Sequence, residues 1–187
     1  MNKLLTFAFT IFITLSGVSQ IKVGRTVMDY SIESFGEELK MNGSGDFSVL
    51  FVELYSLALY LQEKERDAIG ICYADKTMTL TTVITSKMMD RDTFVESITK
   101  DLTRVTDNNL APLKERLDKL LKILKEPIIK KDIISFSYEK GVGTHIIKNE
   151  KELGVIEGQD FKFALFKIWL GEEPVNQNLK NELLGVY

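Results

Sequence analysis

The sequence predicts an α+β fold, a large antiparallel sheet with helices packed on one face. Three observations predict it. Residues 77–85 and 133–138 alternate apolar and polar side chains with a period of two, as strands with one buried face do. Residues 93–105 and 109–126 instead repeat apolar side chains every three or four positions, as helices lying on a core do. The segments also run in blocks: strands, two helices, strands, then helices. No internal repeat, low-complexity tract or Pro/Gly-rich linker divides residues 20–187, which are expected to form a single domain.

Ahead of that domain, residues 1–19 read as a cleavable export signal. Lys3 supplies the positive start, residues 4–15 (LLTFAFTIFITL) the apolar run, and Gly17 and Ser19 the small side chains before a cut at Gln20. The run is a dozen residues, short of the roughly 20 a membrane span needs, and no cysteine follows it to carry a lipid. The expected location is the periplasm or the cell exterior.

Residues 41–61 (MNGSGDFSVLFVELYSLALYL) begin with a polar, glycine-containing entry that reads as flexible and continue as a nearly unbroken apolar strand. In residues 77–85, Met78, Leu80, Thr82 and Ile84 share one face, and Thr77, Thr79, Thr81, Val83 and Thr85 form a more polar one. Thr93 with Glu96 is a capping-box signal, and Phe94, Ile98, Leu102 and Val105 continue a helix from it. A second helix is expected from Asn109 to the break at Pro127, with Leu113, Leu117, Leu120 and Leu124 on its apolar side. Its stretch from Leu113 to Lys131 carries seven basic and three acidic residues. That composition fits a helix at a membrane surface, but a helix covering a sheet has the same pattern and is the preferred reading. Residues 133–138 set Ile134, Phe136 and Tyr138 opposite Ser135 and Ser137. Residues 143–149 and 153–156 read as a hairpin around 150–152, and residues 160–170 and 178–184 as short helices.

Composition excludes several chemistries. The whole chain has 24 basic and 27 acidic residues, and only Lys3 lies in the leader, so the remaining chain stays acidic. It lacks the basic footprint that nucleic acid requires. Cys72 is the only cysteine and His145 the only histidine. An intramolecular disulfide and a zinc site built from several Cys or His ligands are therefore ruled out. No nucleophile-elbow motif accompanies His145, which reads as an ordinary strand side chain. No metal or organic cofactor is expected.

Three stretches, MNGSGDFSVLFVELYSLALYL at 41–61, KGVGTHIIKNEKELGVIEGQDF at 140–161 and FKIWLGEEPVNQNLKNELLG at 166–185, together resemble the chalcone isomerase-like family, above all its small secreted bacterial branch. The resemblance implies a large antiparallel sheet with a ligand cleft between sheet and helices. In chalcone isomerases that cleft closes a flavanone ring by intramolecular attack of a phenolate on an enone. An Arg steadies the developing negative charge; a Thr in the following strand, a Tyr, an Asn and a further Thr complete the set. The plant fatty-acid-binding branch keeps the Arg and uses a Tyr to hold a carboxylate.

In this chain the Arg position falls at Phe47, preceded by Asp46; the strand Thr falls at Tyr55 and the last Thr at Ile168. Asp90 and Ser97 fall where the Tyr and Asn belong, so none of the five catalytic side chains is present. A fixed cation beside an oxyanion lowers a barrier by several kcal/mol, and Phe47 supplies none. If one strand runs unbroken, Phe47, Phe51, Tyr55 and Leu57 share a face. With Ile168 they form either an apolar ligand wall anchored by one phenol or plain core. The expected function is non-catalytic binding of a small hydrophobic molecule, a fatty acid or a phenolic. The alternatives are an isomerase (intramolecular lyase) with a rearranged site, drawing a cation from Lys162, Lys167 or Arg25, and a protein-binding scaffold.

Overall fold

A computed structural model describes residues 19–186, so the leader read at 1–19 lies, apart from Ser19, outside the described residues. The chain starts with a small hairpin, β1 (Gln20–Val23) and β2 (Thr26–Asp29), that pairs only with itself. Seven strands then form one sheet in chain order, each antiparallel to the next: β3 (Ser31–Ser34), β4 (Glu37–Val49), β5 (Val52–Leu61), β6 (Met78–Ile84), β7 (Ile133–Glu139), β8 (Gly143–Lys148) and β9 (Lys151–Glu157). The helices are α1 (Ala68–Tyr73), α2 (Arg91–Val105), α3 (Lys114–Ile123), α4 (Gln159–Leu170) and α5 (Gln177–Leu183). The α+β antiparallel architecture read from the sequence is thus the observed one.

Alternation decides which residues face the helices. Tyr55, Leu57 and Leu59 of β5, Leu80 and Ile84 of β6, Phe136 of β7 and Ile146 of β8 enter one core with Phe94, Ile98 and Leu102 of α2 and with Phe161, Leu165, Ile168 and Trp169 of α4. The opposite face carries a smaller apolar cluster, in which Leu39, Met41, Ala58, Tyr60 and Val83 pack under Val23 and Met28 of the β1–β2 hairpin.

Several local expectations are corrected. Helix α2 starts at Arg91, not Thr93, because the Asp90 carboxylate accepts from Thr93 N at 2.9 Å and caps it. The second helix is shorter than expected: one 3₁₀ turn (Ala111–Leu113), then α3, which lays Leu117 and Leu120 on the core as a sheet-covering helix. The hairpin near 150 turns at Asn149 and Glu150.

The apolar run at 41–61 is two strands, with Val49 paired to Val52 across a turn at Leu50 and Phe51. Its polar entry is part of β4 and not a flexible lead-in. Gly43 and Gly45 face α5, and a Cβ on Gly43 would collide with the backbone carbonyls of Glu182 and Leu183. These glycines let a helix lie directly on the strand. Asn42 marks a bulge there, donating to the carbonyls of Leu183 (2.9 Å) and Glu65 (2.8 Å).

Candidate functional site

Tyr55 and Phe47 are directly paired on β5 and β4, and their rings stack with centroids 5.1 Å apart. Tyr55 is 6% exposed and Phe47 half-buried, with the Phe47 ring covering one face of the phenol. From α4, Trp169 Nε1 donates to the Tyr55 hydroxyl at 3.1 Å, the one hydrogen-bond partner that hydroxyl has among the described residues. Burial holds the phenol far above its usual pKa range; the Trp169 bond offsets this in part, and the Asp101 charge on α2 adds to it. Tyr55 is therefore a neutral hydroxyl with its own proton free to be donated.

A second hydroxyl belongs to the same face. Thr82 of β6 pairs with Leu57, one step along from Tyr55, and its Oγ1 is buried without a hydrogen-bond partner among the described residues. Leu57 and Ile168 are buried in the apolar core around these groups. Four of the five expected wall residues thus belong to this layer. Phe51 does not: it sits at the hairpin tip, 100% exposed, because the chain reverses at Leu50–Phe51 and the single-strand parity fails.

The cations considered for a rearranged active site are committed elsewhere. Lys162 is fully buried and donates to the carbonyls of Ile71 (2.9 Å), Cys72 (2.8 Å) and Ala74 (2.8 Å) at the end of α1. Burial pulls it down to about 8, so its ammonium is retained at neutral pH with all three protons placed on carbonyls. Lys167 Nζ donates to Val105 O (3.0 Å) at the C-terminus of α2, and the exposed Arg25 lies 3.6 Å from the Glu53 carboxylate. His145 is a buried side chain of β8 held between Glu152 (2.8 Å) and Glu139 (3.1 Å), with the Phe35 ring 4.5 Å away. Asp90, placed by the resemblance where a catalytic Tyr would fall, is the cap of α2, and the Ser97 hydroxyl donates to Phe94 O.

Open space lies on the other face of the sheet. A groove of about 530 Å³ runs between the sheet and the N-terminal hairpin, with Thr79, Thr81, Ser135 and Ser137 along its floor and Val27, Ile32, Phe35, Ile133 and Ile147 among its walls. The floor hydroxyls pair across β6 and β7, Thr79 with Ser137 at 3.1 Å and Thr81 with Ser135 at 3.0 Å. None of the five expected wall residues lines this groove. Its signal was present in the sequence as the polar faces of 77–85 and 133–138. Trp169, by contrast, gave no signal of its role, because its partner is 114 residues away.

The sequence profile of the chalcone isomerase-like family matches residues 20–185. No curated protein sequence matches the chain. Among solved structures, a fatty-acid-binding protein from Arabidopsis thaliana superposes with a TM-score of 0.69 at 16% identity, over 89% of this chain and 96% of that one. At that identity the likeness concerns the fold.

Proposed function

Because the chain belongs to the chalcone isomerase-like family, we propose that it binds a small hydrophobic molecule between sheet and helices without transforming it. One observation carries the reading: Tyr55 and Thr82, near each other on adjacent strands of one sheet face, keep hydrogen-bonding capacity that the described residues do not use, as does Thr144 of β8 farther across that face. Buried polar groups are rarely left this way. An apolar layer with two such groups suits a ligand bearing one carbonyl or hydroxyl on a hydrocarbon body, admitted when sheet and helices part. Phe47, half-buried and stacked on Tyr55, is a side chain that such an opening would move. The fatty-acid-binding neighbour of the same fold supports a ligand of this class.

The same geometry opposes catalysis of the isomerase type. Among the described residues, the charge that acts on the Tyr55 hydroxyl is that of Asp101, which would disfavour a phenolate or enolate here. We place the protein outside the cytoplasm on the strength of the leader pattern at 1–19.

The test is extraction of the purified protein with organic solvent and mass spectrometry of the extract. A stoichiometric hydrophobic compound is expected, with recovery reduced in Tyr55→Phe and Thr82→Val. Chalcone cyclisation well above the solution rate would overturn the non-catalytic reading. A second reading, binding in the open-face groove, is favoured by the groove's ready volume of about 530 Å³. It predicts instead that Thr81→Leu or Ser135→Leu abolishes recovery while Tyr55→Phe leaves it unchanged.

A further inference from the structure

The turn between β4 and β5 departs from hairpin-turn chemistry at both of its central residues. A two-residue hairpin turn with both central residues at positive φ is normally built from Asn or Gly, because a Cβ is disfavoured there. Leu50 (φ 48°) and Phe51 (φ 68°) occupy those positions. The turns of β1–β2, β3–β4 and β8–β9 each keep one favoured residue, Gly24, Gly36 or Asn149, although Phe35 and Glu150 beside the last two also hold positive φ; only the β4–β5 turn, of these four, has none. Solvation does not compensate: Leu50 is 86% and Phe51 100% exposed, beside a half-exposed Val49. Local sterics and water both oppose these side chains, so their reward lies outside the chain.

Hydrogen bonds show what surrounds this tip. Thr85 N and Ser86 N donate to Leu54 O, Lys131 N to Ile84 O, and Arg25 N to the Glu53 carboxylate, which gathers four loops at one end of the sheet. The same end exposes Met88 (65%) and Ile129 (63%) together with Arg25, Lys87, Lys130 and Lys131. Those three lysines make no ion pair among the described residues. The acids behind them, Glu53 and Asp132, are buried and held by Arg25 and Lys148; Glu126 and Glu150 stand exposed at the margin.

We propose that this end of the sheet docks on an anionic phospholipid bilayer, with Leu50 and Phe51 entering the acyl layer and the basic residues meeting the headgroups. An apolar prow at the same end as three unpaired lysines and Arg25 complements such a surface. Lysine is depleted in protein–protein interfaces, which favours lipid over a protein pocket as the occupant. A cavity of about 430 Å³ at this end, rimmed by Arg25, Lys130 and Lys131, shares Val27, Val83 and Ile133 with the open-face groove. Docking sets the mouth of that groove against lipid. The proposal stands independently of what Tyr55 binds.

The experiment uses the full chain with vesicles of equal parts phosphatidylglycerol and phosphatidylcholine, and with phosphatidylcholine alone. In Phe51→Trp, the new indole should shift to the blue on the anionic vesicles and be quenched by brominated acyl chains, against the wild-type Trp169 background. This reads the tip itself, whatever else on the chain meets lipid. Replacing Leu50→Asn with Phe51→Gly should weaken co-sedimentation about tenfold or more, although that variant suits the turn better and its melting temperature should not fall. Lys130→Glu with Lys131→Glu should remove the preference for anionic vesicles. An unquenched indole, or an Asn-Gly variant that sediments like wild type, would overturn the proposal.

Discussion

Trp169 on α4 donates its indole N–H to the hydroxyl of Tyr55 on β5, tying the helix layer to the sheet at 3.1 Å. Removing the acceptor with Tyr55→Phe leaves a buried donor unpaired, at a cost of about 1–3 kcal/mol. Removing both groups, with Trp169→Phe added, relieves that penalty. A double-mutant cycle in urea should therefore return a coupling of about 1 kcal/mol. A coupling of zero would mean that the pair is incidental to packing.

Gly43 and Gly45 should respond differently to the same substitution. A Cβ on Gly43 meets backbone carbonyls of α5, which can move only if the helix lifts off β4. Gly43→Ala is expected to cost about 2–4 kcal/mol, in the range of forced overpacking. A Cβ on Gly45 meets chiefly the carboxylate end of the flexible Glu182 side chain. Gly45→Ala should cost under about 1 kcal/mol once that side chain swings away. Equal melting temperatures for the two variants would contradict the close-approach account.

These glycines also show where the sequence was legible and where it was not. The faces of 77–85 and 133–138 were readable because burial imposes the period of two locally: Leu80 and Phe136 face the helices, and Thr79 and Ser137 the groove. The run at 41–61 misled because its turn carries Leu50 and Phe51, apolar residues where turn chemistry calls for Asn or Gly. With that reversal hidden, single-strand parity places Phe51 on a wall it does not reach, while Phe47 and Tyr55 do share a face because they pair across the hairpin. Gly43 looked flexible because its reason, the backbone of α5, lies about 140 residues away in the chain.

Lys162 should prove a structural lysine. Its ammonium serves three carbonyls around the C-terminus of α1, a helix of only six residues. Lys162→Met leaves those acceptors without their donor and is expected to cost about 2–4 kcal/mol. The loss should be local first: amide hydrogen exchange ought to accelerate across Ala68–Tyr73 before the central strands respond. Uniform acceleration across the sheet would argue against the capping role.

Asp132 sets an acid limit on stability. Its burial opposes ionisation, but bonds from Asn149 (2.8 Å), Lys148 (2.9 Å) and Ile129 N (2.9 Å) outweigh that and hold its carboxyl below the usual range. The folded chain therefore binds this proton less tightly than the unfolded chain does. Its contribution is complete above the ordinary aspartate value of about 4 and is lost as pH falls through the lower folded value. Urea midpoints followed from about pH 7 to about pH 3 should drop in that acid window. Asp132→Asn should start about 3 kcal/mol lower, because Lys148 loses its buried partner, and show a flatter acid slope. A slope unchanged by the substitution would assign the acid sensitivity to other carboxyls.

The β4–β5 turn predicts a gain in stability. Leu50 and Phe51 both hold positive φ, where a side chain other than Asn or Gly costs about 1 kcal/mol per residue. Both are so exposed that truncating them removes almost no buried apolar area. Leu50→Asn with Phe51→Gly should therefore raise the free energy of unfolding by about 1–2 kcal/mol, partly offset by the greater freedom glycine gives the unfolded chain. Leu50→Asn alone should capture most of the gain, since it adds no glycine. Equilibrium urea unfolding without vesicles is the measurement that checks it. A destabilised Leu50→Asn would mean that the leucine packs against the fold in solution, and the strain at the tip would then need no partner outside the chain to explain it.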